Sequence, residues 1–99
     1  MKDKLLRVIK NGKWIAVENT LGALQKEVGG YIETLTLFDG VVMIIDEEGR
    51  LKNKPETCTV LKMPIVGDWL IVGANDEGEF TDLPFESWQI MKTMGVLKW

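Results

Sequence analysis

Two dipeptides constrain the fold of this chain more than any other feature. Asn11-Gly12 separates the apolar runs Leu5–Lys10 and Lys13–Val17, and Asp39-Gly40 separates Tyr31–Phe38 from Val41–Ile45. Tight hairpin turns need positive φ at their central residues, which Asn, Asp and Gly tolerate best, so each pair of runs reads as an antiparallel hairpin. The first hairpin places strands over 4–10 and 13–17. In the second, Tyr31, Glu33, Leu35 and Leu37 point one way and Ile32, Thr34, Thr36 and Phe38 the other. Val41–Ile45 is apolar throughout, the pattern of a central strand covered on both faces.

Between the hairpins, Leu21, Leu24 and Val28 fall on one face of a helix, expected over about residues 20–28. Glu18-Asn19-Thr20 offers an N-cap oxygen, and Gly29-Gly30 can supply the left-handed residue that ends the helix. Asp46-Glu47-Glu48-Gly49 reads as a solvated turn. Arg50–Thr57, charged and broken by Pro55, reads as a surface loop with at most a short strand. Thr59–Lys62 is expected as a short edge strand. Trp69–Gly73 is expected as a strand, turned back by Asn75–Gly78 onto Glu79–Thr81. Pro84 suits the first turn of a last helix carrying Phe85, Trp88, Met91 and Met94, which Gly95 ends before a tail, Val96–Trp99.

The expected order is thus β-β-α-β-β-β-β-α: an α+β fold, a mostly antiparallel sheet with two helices. At 99 residues the chain suits a single domain over 1–99. The expected core is Leu24, Val28, Ile32, Val42, Ile44, Leu70, Val72 and Trp88. A core this small gains from association, so a homo-oligomer, most simply a dimer, is expected.

Composition narrows the chemistry. There is no histidine and one cysteine, Cys58, which removes most nucleophilic triads and nearly all zinc sites. A lone thiol also points to a reducing, cytoplasmic setting. The net charge of −3 lacks the basic footprint of a nucleic-acid binder. No window approaches the roughly 20 apolar residues that span a bilayer, so no membrane association is expected. Arg7 follows Leu5-Leu6 too closely for a signal peptide. The glycines follow a helix rather than precede one, so they form no phosphate loop.

The remaining chemistry-bearing residues are few. Glu33 sits within an apolar strand two residues from Tyr31. Arg50, Lys52 and Asn53 make a polar cluster able to meet a phosphate. Of the four tryptophans, core packing accounts for Trp69 and Trp88, whereas Trp14 and Trp99 are the pair expected at the surface, where aromatics mark contacts.

Three stretches carry a family resemblance: Leu21–Glu33 (LGALQKEVGGYIE), Val42–Lys52 (VMIIDEEGRLK) and Gly67–Thr81 (GDWLIVGANDEGEFT). Together the sequence resembles the domain of unknown function 3846, over roughly residues 5–94. That family is found largely in bacteriophages and bacterial mobile elements. Its members often have Asn before the Glu-Glu-Gly turn, where this chain has Asp46, and another Asn after a proline, where this chain reads Pro55-Glu56-Thr57-Cys58. The resemblance implies a phage or prophage setting, the host cytoplasm and action by binding.

The leading expectation is a non-enzymatic protein that captures a nucleotide-like ligand and so sequesters a host defence signal. Tyr31 would stack on a base and Glu33 would accept from a base or ribose. Arg50, Lys52 and Asn53 would meet phosphate, and Asp46 would occupy the family's amide position. No cofactor or metal is called for. The alternative is an interaction module that inhibits a host enzyme through Trp14 or Trp99. A carboxylate–metal hydrolase using Glu33, Asp46 and Glu48 is a third, lesser alternative.

Overall fold

The computed structural model describes residues 5–99; Lys4, the first residue of the expected opening strand, lies outside them. β1 (Leu5–Lys10) and β2 (Lys13–Glu18) form the first hairpin, with φ of 51° at Asn11 and 93° at Gly12. α1 (Leu21–Val28) follows, capped at its start by Thr20 Oγ1, which accepts the Ala23 N–H at 3.1 Å. It ends at Gly29, φ 82°. β3 (Ile32–Phe38) and β4 (Val41–Asp46) make the second hairpin. Next come β5 (Glu56–Val60), β6 (Met63–Val66), β7 (Leu70–Ala74) and the short β8 (Phe80–Thr81). α2 (Phe85–Met94) and β9 (Leu97–Lys98) close the chain. Among the described residues the architecture is α+β, with two helices and antiparallel pairing throughout. Among the described residues no helix is long and apolar enough to cross a membrane.

The larger sheet runs β2-β1-β7-β4-β3, with β8 continuing beside β7. β7 thus inserts between the two local hairpins and joins them. Three layers result. On one face α1 packs Leu24 and Val28 onto Leu6, Val8, Val42, Ile44, Leu70 and Val72. On the other, α2 and a smaller sheet of order β6-β5-β9 cover Ile9, Val41, Met43 and Ile71 with Trp88, Met91, Cys58, Val60, Ile65 and Leu97. Two covered faces explain why every residue of Leu70–Gly73 is buried: successive side chains alternate between two cores.

Several expectations are corrected. Ile32 is only half-buried, because β3 is an edge strand. The alternation in β3 breaks at a bulge between Thr36 and Phe38, so Phe38 packs with Leu35 and Leu37 on the α2 side. The expected edge strand over 59–62 is instead β5, the centre of the smaller sheet, which turns at Leu61-Lys62 into β6. Both turn residues have positive φ, 49° and 70°, and neither is a residue type that signals such a turn. The tail is not free: β9 pairs with β5 through Thr59–Lys98 and Val60–Leu97. On α2 only Trp88 and Met91 are buried, while Phe85 and Met94 are exposed. A spacing of three drifts by about 60° per step on a helix of 3.6 residues per turn, which carries the ends of the stripe off the core face.

Candidate functional site

The six residues singled out in the sequence divide in the structure. Tyr31 precedes β3 rather than opening it. Its carbonyl accepts the Glu47 N–H at 2.9 Å and the residue is 65% exposed. Glu33 is exposed on β3. Arg50 donates to the Pro64 carbonyl at 2.7 Å. Asn53 sits at φ 56° in the turn after Lys52. Glu33, Asp46 and Arg50 line one cleft of about 200 Å³, walled by Leu35, Ile45, Leu51 and the β6 residues Met63–Val66. Tyr31, Lys52 and Asn53 do not line it.

Asp46, buried at the end of β4, forms an ionic node with the part-exposed Lys52 and Lys54 rather than standing in a solvated turn. Asp46 is 3% exposed. Its Oδ2 accepts from Lys54 Nζ at 2.7 Å and Lys52 Nζ at 2.9 Å, and its Oδ1 accepts the Glu48 N–H at 2.9 Å. Both lysines also reach the end of α1: Lys54 donates to the Val28 carbonyl at 2.8 Å, Lys52 to that of Gly29 at 3.0 Å. Cations there satisfy carbonyls that the helix leaves unpaired and complement its dipole. The hydrogen bond from Lys54 holds the Asp46 carboxyl well below the usual range against the opposing effect of burial, with Lys52 and the Glu48 amide adding to it. A Cβ on Gly30 would collide with Asp46 Oδ1 and Lys52 Nζ. The second glycine of the pair therefore makes room for the node, while the first caps the helix. Among the described residues no three metal-ligating side chains gather, so Glu33, Asp46 and Glu48 form no carboxylate centre.

A larger cleft, about 600 Å³, lies at the other end of the molecule, lined by Arg7, Trp14, Ile15, Ala16, Asp82, Leu83 and Phe85. The β1–β2 register sets Ile9 opposite Trp14 and Arg7 opposite Ala16. Arg7, Trp14 and Ala16 thus share the face that Ile9 contributes to the α2-side core. They lie beyond the edge of that cover, and all three are exposed. The chain between β8 and α2 closes the cleft along β1: the Arg7 N–H donates to Asp82 Oδ1 at 2.8 Å, and the Leu83 N–H to the Arg7 carbonyl at 2.9 Å. Phe85, the first residue of α2, stacks on Trp14 with ring centroids 6.3 Å apart and 20° between planes.

Sequence reasoning marked Trp14 as an exposed aromatic but missed Arg7, Asp82 and Phe85. The three are brought together only by the pairing of residues 82–83 with β1, a contact across 75 positions between Arg7 and Asp82 that no local periodicity records. The other surface tryptophan is engaged differently. Trp99 is 56% exposed, yet it packs edge-on to Trp69 at 6.1 Å and against Trp88 at 5.4 Å.

Cys58, the one cysteine, is buried between the layers, and burial pushes its thiol up to about 11. At neutral pH it is protonated and not a nucleophile.

No curated protein and no solved structure matches the chain. A family model does, over residues 4–95, and the chain belongs to that family, described as Domain of unknown function (DUF3846).

Proposed function

We propose that this chain is a non-enzymatic binding protein that captures a planar, nucleotide-like ligand in the cleft between β2 and the start of α2. The near-parallel rings of Trp14 and Phe85, standing in a cleft of about 600 Å³, carry this reading. That volume lies within the range of small-molecule sites, roughly 300–1,000 Å³. Aromatic faces hold a base by stacking. The Arg7 guanidinium supplies the forked donors that suit a phosphate, and Asp82 keeps acceptor capacity beyond the one bond it makes to the Arg7 N–H. The absence of histidine and the burial of Cys58 support binding rather than nucleophilic catalysis. In a phage or mobile element, such capture would sequester a nucleotide signal of the host.

The smaller Glu33–Arg50 cleft is the second place for such a ligand, and at about 200 Å³ it falls below the usual range. The exposure of Trp14 (40%) and Phe85 (61%) also favours a second function, docking on a host protein through the same aromatic pair.

Calorimetry against a panel of mono-, di- and cyclic nucleotides tests the proposal. At least one should bind at micromolar concentration, and Trp14→Ala should weaken it by about tenfold to a hundredfold while the fold stays intact. If none binds below millimolar, the ligand reading fails and the interaction module takes its place.

A further inference from the structure

The outer edge of β3 is unguarded. Its inner side pairs with β4, and on its outer side no backbone group of Ile32–Phe38 has a partner among the described residues. Proteins usually protect such an edge with lysine, proline or shortness. The other edges in this fold show these devices. β6 contains Pro64 and gives that carbonyl to Arg50, β9 has two residues, and β2 ends in Lys13 and Glu18. β3 has seven residues, no proline and one charge, Glu33, with its single irregularity after Thr36.

The strand is also self-complementary. Two copies related by a two-fold axis perpendicular to the sheet pair antiparallel, with one residue facing itself on the axis. With Leu35 there, β3 overlaps its copy end to end. Thr34 then faces Thr36, Glu33 faces Leu37, the half-buried Leu35 meets its counterpart, and no charge meets a like charge. We propose that this chain forms a symmetric dimer by antiparallel addition of β3 to the β3 of a second copy, centred on Leu35. Glu33 and Leu35 also line the smaller cleft, so the pairing brings the two copies' clefts together on one face of the joined sheet. The dimer is independent of the Trp14–Phe85 cleft, which lies at the opposite end of the strand order.

Thr34 and Thr36 are exposed, so charges placed there test the register without touching the core. Light scattering at 10–200 μM should give twice the chain mass of 11.2 kDa for the wild type. Thr34→Lys with Thr36→Lys sets lysine against lysine twice and should raise the dimer Kd at least about tenfold. Thr34→Lys with Thr36→Glu sets lysine against glutamate and should keep the dimer. A wild-type monomer throughout overturns the proposal, as does a Lys/Lys variant that dimerises like the wild type. A monomeric Lys/Glu variant overturns the Leu35-centred register. If a variant fails to fold, amide exchange of the wild type decides: protection across Ile32–Phe38 should rise with concentration, and unchanged protection overturns the pairing.

Discussion

Lys54 bridges two elements that the sequence places 18 residues apart: its ammonium sits 2.7 Å from Asp46 Oδ2 at the end of β4 and 2.8 Å from the Val28 carbonyl at the end of α1. One side chain thereby fixes the helix against the sheet. Lys54→Met should cost about 1.5–3 kcal/mol, the range for hydrogen bonds to charged groups. Lys52, whose side chain is 40% exposed, should cost under about 1 kcal/mol on the same change. Urea unfolding of the two variants checks the order, and equal losses would contradict it.

Acid should unfold the protein partly through Asp46. Its folded carboxyl titrates below its unfolded value, chiefly through Lys54. Its contribution is therefore complete above the ordinary aspartate range near pH 4 and is lost as pH falls below that range toward the folded value. Asp46→Asn should be less stable at pH 7, by the lower end of the about 3–5 kcal/mol typical of a broken buried pair, because both lysines still reach water. The gap between variant and wild type should narrow from pH 5 to pH 2.5. A constant gap would show that the node carries no such linkage.

Leu70 is fully buried in β7, under α1. Leu70→Ala should cost about 2–5 kcal/mol, the range for emptying a core site. A loss under about 0.5 kcal/mol, typical of surface changes, would contradict the packing.

Cys58 should be inert in the native state, because its thiol is both buried and protonated at neutral pH. Ellman's reagent at pH 7.5 should leave it unmodified for an hour and react within minutes in 6 M guanidinium. Rapid native labelling would contradict its position between the layers.

Much of the fold was legible in local sequence. Asn11-Gly12 and Asp39-Gly40 set the hairpins, Thr20 and Gly29 bounded α1, and the unbroken run Val41–Ile45 marked a strand covered on both faces. The exceptions have physical causes. Leu61-Lys62 makes a left-handed turn without a left-handed residue type. The Leu61 N–H is held by the Val96 carbonyl at 2.9 Å, a tertiary bond that overrides local preference. The Leu37 bulge reverses the phase of Phe38, which strict alternation cannot foresee. The polar residues misled most. Asp46, Lys52 and Lys54 look like a solvated loop in sequence, and only the approach of the α1 carboxyl end reveals them as mutual partners. Arg7 and Trp14 share a face of the first hairpin, and Phe85 reaches them only once residues 82–83 join β1.

The most direct measurement of the ligand-binding proposal uses the four tryptophan indole N–H signals in a ¹H–¹⁵N spectrum. Purine nucleoside monophosphates, diphosphates and cyclic nucleotides are titrated in turn to millimolar concentration. The Trp14 signal should shift saturably with at least one of them, together with the amides of Arg7, Asp82, Leu83 and Phe85. The signals of Trp69 and Trp88, buried at 1% and 3% exposure, should hold still. No shift at Trp14 with any nucleotide, or shifts centred on Glu33 and Arg50 instead, would contradict the assignment of ligand capture to the Trp14–Phe85 cleft.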